Sequence, residues 1–226
     1  MKLQSFIAPF AAIALFALGD VGVARADESP ERVSLDLRIG PYDPDGDRST
    51  FDQYFSDDHG PLLEFDAFFH IYRIPYVGPI GITAAGGWAR YSGIACLDTD
   101  CTVRSGETVR LDLFPVGALA TLRFDAPWHE WHVPVFVQGG VGAEWVRFRS
   151  SKGGVRDGYG SAFGFRWQAQ LGLYLDAFER RAARSLDVEH GINHSYIFFE
   201  LRGSTASDSI PIADRFTWAG GLGLVF

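Results

Sequence analysis

The segment from residue 63 to residue 72 carries the clearest grouping of side chains that could perform acid–base chemistry. Glu64, Asp66 and His70 all lie at even positions, so in an extended strand their side chains point to the same side. Two carboxyl groups and an imidazole in this arrangement could act as general acid, general base and orienting group. Structural ion pairs produce the same spacing, so the pattern alone does not select catalysis.

A second group, near the end of the chain, combines a potential nucleophile with a potential base. His194, Ser195 and Glu200 are residue types that barrel enzymes use to deacylate lipid A. Their spacing departs from the His-x-Ser motif of those enzymes, and the strand count given below places His194 and Ser195 at the periplasmic end, away from the outer leaflet. We therefore expect a non-enzymatic protein, with a lipid-modifying enzyme as the alternative.

An acidic stretch could attract a cation. Residues 43–47 read Asp-Pro-Asp-Gly-Asp, and Asp52, Asp57 and Asp58 follow. An EF-hand loop counted from Asp43 needs a bidentate Glu at its twelfth position, and that position is Tyr54. We expect a solvated acidic loop with no metal and no cofactor, and leave open a loose cation site at the lipopolysaccharide surface.

The N-terminus predicts export. Residues 1–26 combine a basic start, an apolar stretch and Ala-Arg-Ala before the cleavage point, which is the pattern of a secretory signal peptide. The mature domain, residues 27–226, then carries 18 basic and 27 acidic residues, a formal charge of −9. Such a charge disfavours nucleic acid as a partner.

The two cysteines indicate a loop staple. Cys96 and Cys101 bracket four residues in a chain that has left the reducing cytosol. A two-cysteine metal site would need further His or Cys ligands, which this stretch lacks. We expect a disulfide between them.

Large apolar residues recur at every second position through much of the mature chain, which is the period of a β-strand. In the last segment Phe216, Trp218, Gly220, Leu222, Leu224 and Phe226 share one face, and small or polar residues occupy the other. Strong or weaker versions of this alternation give eight candidate strands, at residues 33–39, 63–72, 80–91, 109–123, 135–148, 163–174, 195–202 and 215–226.

The polar faces of these strands decide which side is outside. They carry glycines, alanines and a few charges of both signs, too little to cover a soluble exterior but suited to the crowded interior of a small barrel. Lipid should therefore contact the apolar face, and only a closed barrel satisfies the backbone of such strands in hydrocarbon. We predict an all-β fold, a closed antiparallel transmembrane barrel of about eight strands.

Charged residues on the inner faces should pair and plug the lumen rather than line a channel, which leaves a small-solute pore as an alternative. The predicted plug consists of Asp36, Arg38, Glu64, Asp66, His70, Arg110, Asp112, Arg166, Glu200 and Arg202, with Arg123 and Glu144 as further candidates. Counting strands places both termini in the periplasm. Residues 176–186, between strands 6 and 7, have helix-forming composition and predict a short periplasmic helical insertion.

Three segments carry a family resemblance: Leu-Asp-Leu-Arg-Ile-Gly-Pro-Tyr-Asp-Pro at 35–44, Leu-Asp-Ala-Phe-Glu at 175–179 and Gly-Ile-Asn-His-Ser-Tyr at 191–196. With them the chain resembles an uncharacterised family of myxobacterial-type outer-membrane β-barrel proteins. The resemblance implies a location in the bacterial outer membrane and a small barrel fold, and it supplies no reaction or catalytic residue.

The C-terminal residue predicts how such a barrel is assembled. Phe226 looks like the terminal aromatic by which the outer-membrane assembly machinery recognises its barrels, so this machinery is an expected transient partner. Lipid and lipopolysaccharide are the other expected partners, and we expect a monomer. The predicted role is structural, in surface display or in adhesion.

Overall fold

A computed structural model describes residues 30–42, 60–96, 104–206 and 216–226. The signal segment, the acidic stretch at 43–58 and Cys101 lie outside the described residues, as does the side chain of Cys96. The signal peptide, the alternative cation site and the disulfide therefore stay predictions. Within the described ranges, no helix has the length and apolarity needed to cross a membrane.

Eight antiparallel strands form a closed barrel, as the alternation predicted. Each strand pairs with the next along the chain, and β1 pairs with β8 to complete the circle. The strands are β1 (Val33–Tyr42), β2 (Gly60–Ile74), β3 (Gly78–Cys96), β4 (Arg104–Phe124), β5 (Val135–Lys152), β6 (Val155–Tyr174), β7 (His194–Ser204) and β8 (Phe216–Val225).

The beginning of β1 and the end of β8 meet at one end of the barrel, here called the terminal end; the opposite end is the far end. Phe226 lies at this seam, where its N–H donates to the carbonyl of Val33 at 2.8 Å. Its own carbonyl accepts from the N–H groups of Arg32 and Val33, at 2.6 and 3.1 Å. The last residue thus continues the ladder that closes the barrel.

The four central strands are longer than the alternation predicted. β3, β4, β5 and β6 contain 19, 21, 18 and 20 residues, whereas about 9 to 11 suffice to cross the hydrocarbon layer. β5 and β6 are joined at the far end through Gly153 and Gly154, whose φ values of 56° and 82° suit the tight turn of a two-residue hairpin. These strands therefore extend beyond the apolar zone at the far end.

The outer and inner faces of the wall have opposite character. Apolar side chains are exposed outside, among them Leu37, Ile39, Phe65, Val137, Val141, Phe163, Phe165, Leu171, Trp218 and Leu222, the last 60 % exposed. Charged side chains are buried inside, where Arg38, Glu64, Arg166 and Glu200 are each at most 1 % exposed. A soluble barrel has the reverse arrangement, so lipid suits this exterior.

Two clusters close the lumen. At the far end Tyr42, Leu62, Ala89, Tyr91, Leu111 and Leu113 pack together, and at the terminal end Phe136, Tyr174, Tyr196, Phe198 and Val225 do so. A cavity of about 10 Å³ beside Tyr42, Glu144 and Arg166 has room for about one water molecule. The charged layer between the clusters therefore has little room for water beside these residues.

Two helices lie in the terminal-end connections. The predicted insertion between β6 and β7 is present as a 3₁₀ turn, Leu175–Ala177, followed by α2, Arg180–His190. Gly191, at φ 67°, caps α2 by donating its N–H to the carbonyl of Asp187. The shorter α1, Ala126–Trp131, joins β4 to β5 with Pro127 in its first turn, and the sequence patterns did not predict it.

Candidate functional site

The middle of the lumen holds an ion-pair network whose members come from five strands. Arg166 of β6 donates from both terminal nitrogens to Glu64 of β2, at 2.6 and 3.2 Å. Arg202 of β7 donates to the same carboxylate at 2.5 Å. A bidentate guanidinium–carboxylate pair is among the strongest polar contacts available in a dry interior, so Glu64 is the centre of the network.

Three further carboxyl groups complete this network. Arg38 of β1 donates to both Asp66 and Glu200, and Glu144 of β5 accepts from Arg166 at 3.3 Å. In all, three guanidinium groups face four carboxyl groups, and none of the seven side chains is more than 6 % exposed. Alternation places these side chains on the inner face, and strand register brings them into one layer, as where Arg38 of β1 lies opposite Glu64 of β2.

A second polar layer lies nearer the terminal end. The hydroxyl of Tyr196 donates to Asp36 and accepts from Arg123 at 2.9 Å. Arg123 also donates to Gln138 at 2.9 Å, and its guanidinium lies 4.6 Å from the centroid of the Phe136 ring. The tyrosine hydroxyl thus links a buried cation to a buried anion.

Arg110 and Asp112 do not belong to the plug, and the prediction that they face the lumen is wrong. Their neighbours Leu111 and Leu113 point inward, so Arg110 and Asp112 point outward. Asp112 accepts from Arg90 at 2.6 Å on the barrel exterior. At the far end of β4 the strand has passed beyond the apolar zone, so polar residues there occupy the outer face.

The proposed acid–base group is not assembled. His70 lies on the same inner face as Glu64 and Asp66 but nearer the terminal end, where its Nε2 is 3.0 Å from the Ser34 hydroxyl and its ring packs on Phe68. Both carboxyl groups are instead engaged by arginines. Among the described contacts, none joins the imidazole to either carboxylate.

The second catalytic candidate is not assembled either. Nδ1 of His194 lies 2.5 Å from Asp176, and the hydroxyl and N–H of Ser195 donate to the same carboxylate at 3.2 and 3.1 Å. Ser195 therefore directs its hydroxyl to an acid rather than to the imidazole, and Glu200 is bound to Arg38 in the lumen. Nucleophilic catalysis needs a hydrogen bond from nucleophile to base, which these contacts lack.

The terminal end gathers a polar group that the sequence patterns did not single out. This group, the terminal-end cluster, consists of Glu31, Arg73, Asp125, His129, Asp176 and His194. Arg73 donates to Glu31 at 2.9 Å and to both oxygens of Asp125 at 2.9 Å. One ligand atom each from Glu31, His129 and His194 lies within 4.8 Å of the other two, so these three could hold a metal ion.

The ionisation of Glu31 reflects these neighbours. Burial opposes ionisation, but contact with His194 and the positive charge of Arg73 outweigh it and lower the pKa of Glu31 to about 2.

The one local signal for α1 in the sequence was a Pro at the start of a short segment after a strand, Asp-Ala-Pro-Trp-His. This signal did not indicate that His129 would lie beside Glu31 and His194.

The barrel and its interior define a class of protein. A closed antiparallel barrel of eight strands, with an apolar exterior and an ion-paired lumen, is a small transmembrane β-barrel. No protein-family model and no curated protein matches the chain.

Two solved structures of bacterial proteins align with most of this chain. The crystal structure of Ail, the attachment invasion locus protein of Yersinia pestis, aligns at 13 % identity with a TM-score of 0.46, covering 88 % of this chain and 100 % of that one. Neisserial surface protein A aligns at 13 % identity with a TM-score of 0.44, covering 88 % and 97 %. At these values the functions of the two proteins do not transfer to this chain.

Proposed function

We propose that this chain is a non-enzymatic integral barrel of the bacterial outer membrane that is closed to solutes and displays its far-end hairpins at the cell surface. The observation that carries the proposal is the combination of an exposed apolar exterior with a lumen filled by ion pairs. Such a barrel is a rigid support, and its variable part is the set of hairpins and loops beyond the membrane. Adhesion or envelope integrity is the role that this geometry serves best.

The distribution of charge on the exterior supports the orientation. Four arginines, Arg90, Arg110, Arg147 and Arg149, are exposed on the outer face of β3, β4 and β5 near the far end. They follow a zone that contains Trp88, Phe114 and Trp145, aromatic residues of the kind that mark a membrane interface. Guanidinium groups just beyond that zone suit the phosphates of lipopolysaccharide. The far end is therefore the extracellular end in this proposal, and both termini are periplasmic.

The remaining expectations fit within the same proposal. The signal peptide at 1–26 directs export, Phe226 marks the chain for the outer-membrane assembly machinery, and Cys96 with Cys101 staple an outer loop. The barrel acts as a monomer in lipid, and membership in the myxobacterial-type family follows from the three resembling segments.

Neither alternative function has a specific observation in its favour. A pore needs a continuous aqueous path, whereas aromatic clusters and paired charges fill the described part of the lumen. A lipid-modifying enzyme needs an assembled nucleophile, whereas Ser195 is engaged by Asp176.

Conductance of the refolded protein tests the closed lumen. The mature protein is refolded in detergent, its folding is verified by the shift in gel mobility between unheated and heated samples, and it is added to planar lipid bilayers. We expect a heat-modifiable band and no stepwise conductance. Reproducible channels from protein that carries the mobility shift would refute the closed barrel, and equal mobility with extraction as a soluble protein would refute the membrane barrel.

Epitope accessibility tests the display orientation. A short tag is inserted between Gly153 and Gly154 in one variant and after Gly191 in a matched control, both at exposed connections that tolerate insertions. Antibody should label intact cells that carry the first tag, and should label the second only after the outer membrane is permeabilised. The reverse pattern would show that the barrel has the opposite orientation.

A further inference from the structure

We propose that Glu31, His129 and His194 bind one divalent transition-metal ion, for which Zn²⁺ is the best match, at the terminal end of the barrel. The three residues come from separate parts of the chain: the segment before β1, helix α1 and the first residue of β7. Two imidazoles and one carboxylate form a ligand set that Zn²⁺ commonly takes in proteins. The site goes beyond the display function and does not depend on it.

The spacing of the ligand atoms suits a tetrahedral ion. Two ligand atoms about 2.0–2.1 Å from a tetrahedral zinc are roughly 3.3 Å apart. Nε2 of His194 lies 3.2 Å from Oε1 of Glu31, and Nε2 of His129 lies 3.9 Å from the same oxygen. His129, which is carried on the short helix α1, has to approach Glu31 by roughly 0.6 Å to reach that separation.

The Nε2 atoms of the two histidines lack a hydrogen bond within the described part of the chain. Nε2 of His129 and Nε2 of His194 are buried and have no hydrogen bond among the described residues. They lie in ion-pair range of Glu31, but not in hydrogen-bond geometry. A buried nitrogen without a hydrogen bond is costly, and an ion shared between these two atoms and the carboxylate of Glu31 would satisfy both.

The groups around the three ligands orient them as in known metal sites. Asp176 accepts from Nδ1 of His194 at 2.5 Å, which directs the lone pair of Nε2 towards Glu31 and makes a carboxylate–histidine–metal arrangement. Arg73 holds Oε2 of Glu31 at 2.9 Å and so leaves Oε1 for the ion. Oδ2 of Asp125 lies 3.6 Å from Nε2 of His129 and could supply a fourth ligand.

An ion can reach this site from outside. A cavity of about 480 Å³ opens at the terminal end and is bounded by Glu31, Arg73, Asp125 and His129. An ion bound here would lie between Nε2 of His194 and Oε1 of Glu31, and the imidazole would bind it in its neutral form. Bound metal would join the segment before β1 to α1 and β7, on both sides of the seam where β1 meets β8.

A competition titration tests the site. The mature protein is folded in detergent, freed of metal with a chelator and titrated with Zn²⁺ in the presence of a chromophoric chelator, while Co²⁺ is used in parallel for its absorption spectrum. We expect one equivalent bound and tetrahedral Co²⁺ bands. His129→Gln, a change on helix α1, should lower the affinity for Zn²⁺ by at least about 100-fold, and Asp176→Asn should lower it by about 10- to 100-fold.

A control variant shows whether any loss of Zn²⁺ affinity is specific to the proposed ligands. His190→Gln changes an exposed histidine at the end of α2 and should leave the affinity unchanged, and gel mobility confirms that every variant is folded. Folded wild-type protein that leaves all Zn²⁺ with the chelator would show that the cluster is an ion-pair group only. Binding that His129→Gln does not weaken would place any zinc elsewhere, and either result overturns the proposal.

Discussion

Replacing Arg166 with Met should expose how much of the stability of the barrel depends on charge balance in the lumen. Arg166 is 1 % exposed and pairs with Glu64 through two hydrogen bonds and with Glu144 through one. Arg166→Met retains most of the side-chain volume but leaves two guanidinium groups facing four carboxyl groups. Breaking a buried pair by removing one partner typically costs about 3–5 kcal/mol, and we expect a loss of that size in the free energy of unfolding.

A double-mutant cycle separates this electrostatic effect from altered packing. Glu144→Gln removes the carboxylate that pairs with Arg166 at 3.3 Å, and it should cost only about 1–2 kcal/mol because charge balance improves. In the double variant Arg166→Met with Glu144→Gln, the lumen recovers the charge balance of the wild type. Its loss should therefore be smaller than the sum of the two single losses, by about 1–3 kcal/mol.

Equilibrium unfolding in urea, from lipid vesicles or detergent and followed by tryptophan fluorescence, measures these differences. Arg90→Gln is the matched control, because Arg90 forms a pair with Asp112 on the exterior and its side chain is 48 % exposed. This control should cost less than about 1 kcal/mol. Arg166→Met within 1 kcal/mol of the wild type, or strict additivity in the cycle, would refute the view that the paired charges act as a unit.

Three other substitutions test the wall and its packing by the same unfolding assay. Leu222→Arg, on the lipid-facing side of β8, should lower the free energy of unfolding by about 2–4 kcal/mol in a bilayer. The control Val155→Arg changes a residue that is 73 % exposed at the β5–β6 turn and should cost almost nothing. Equal effects of the two substitutions would contradict lipid contact at Leu222. Gly172→Ala would place a methyl group 2.1 Å from the Phe136 ring and should cost about 1–3 kcal/mol of stability. In the control Gly139→Ala the new methyl group meets no atom within 4 Å, so this change should be neutral. A neutral Gly172→Ala would mean that the ring has room to move. Tyr196→Phe removes the hydroxyl that joins Arg123 to Asp36 and should cost about 1–3 kcal/mol of stability. The control Tyr159→Phe, at the exposed far end, should leave the stability unchanged. Equal stability of the two variants would show that the hydroxyl in the lumen is dispensable.

Sequence patterns predicted the wall of the barrel because strand periodicity is a local property. Leu35, Leu37 and Ile39 alternate with Ser34, Asp36 and Arg38, and adjacent residues in a strand must point to opposite faces. The same rule placed Glu64 and Asp66 inside together. It failed for Arg110 and Asp112, because a polar residue lies inward only where the strand is surrounded by lipid, and the length of β4 beyond that zone is not visible in its own residues.

Chemistry at the terminal end was decided by the tertiary structure. The signal for the helix between β6 and β7 was composition over consecutive residues, and it was confirmed with α2 beginning a few residues later, at Arg180. By contrast, α1 is only six residues long, too short to show a helical period. The nucleophile hypothesis for Ser195 needed a partner that the sequence does not specify, and the fold supplied Asp176 instead.

By itself, then, the amino-acid sequence determined that the chain forms eight strands with an apolar face and a polar face, which is enough to require a closed barrel with its charges inside. Only the tertiary structure decided which charges meet. Glu31, His129 and His194 are far apart along the chain, and they become neighbours because closure of the barrel brings the segment before β1 beside β7, next to the helix that follows β4. Contacts of this kind depend on strand register and on the course of the connections, and neither is encoded by the local alternation that specifies the strands.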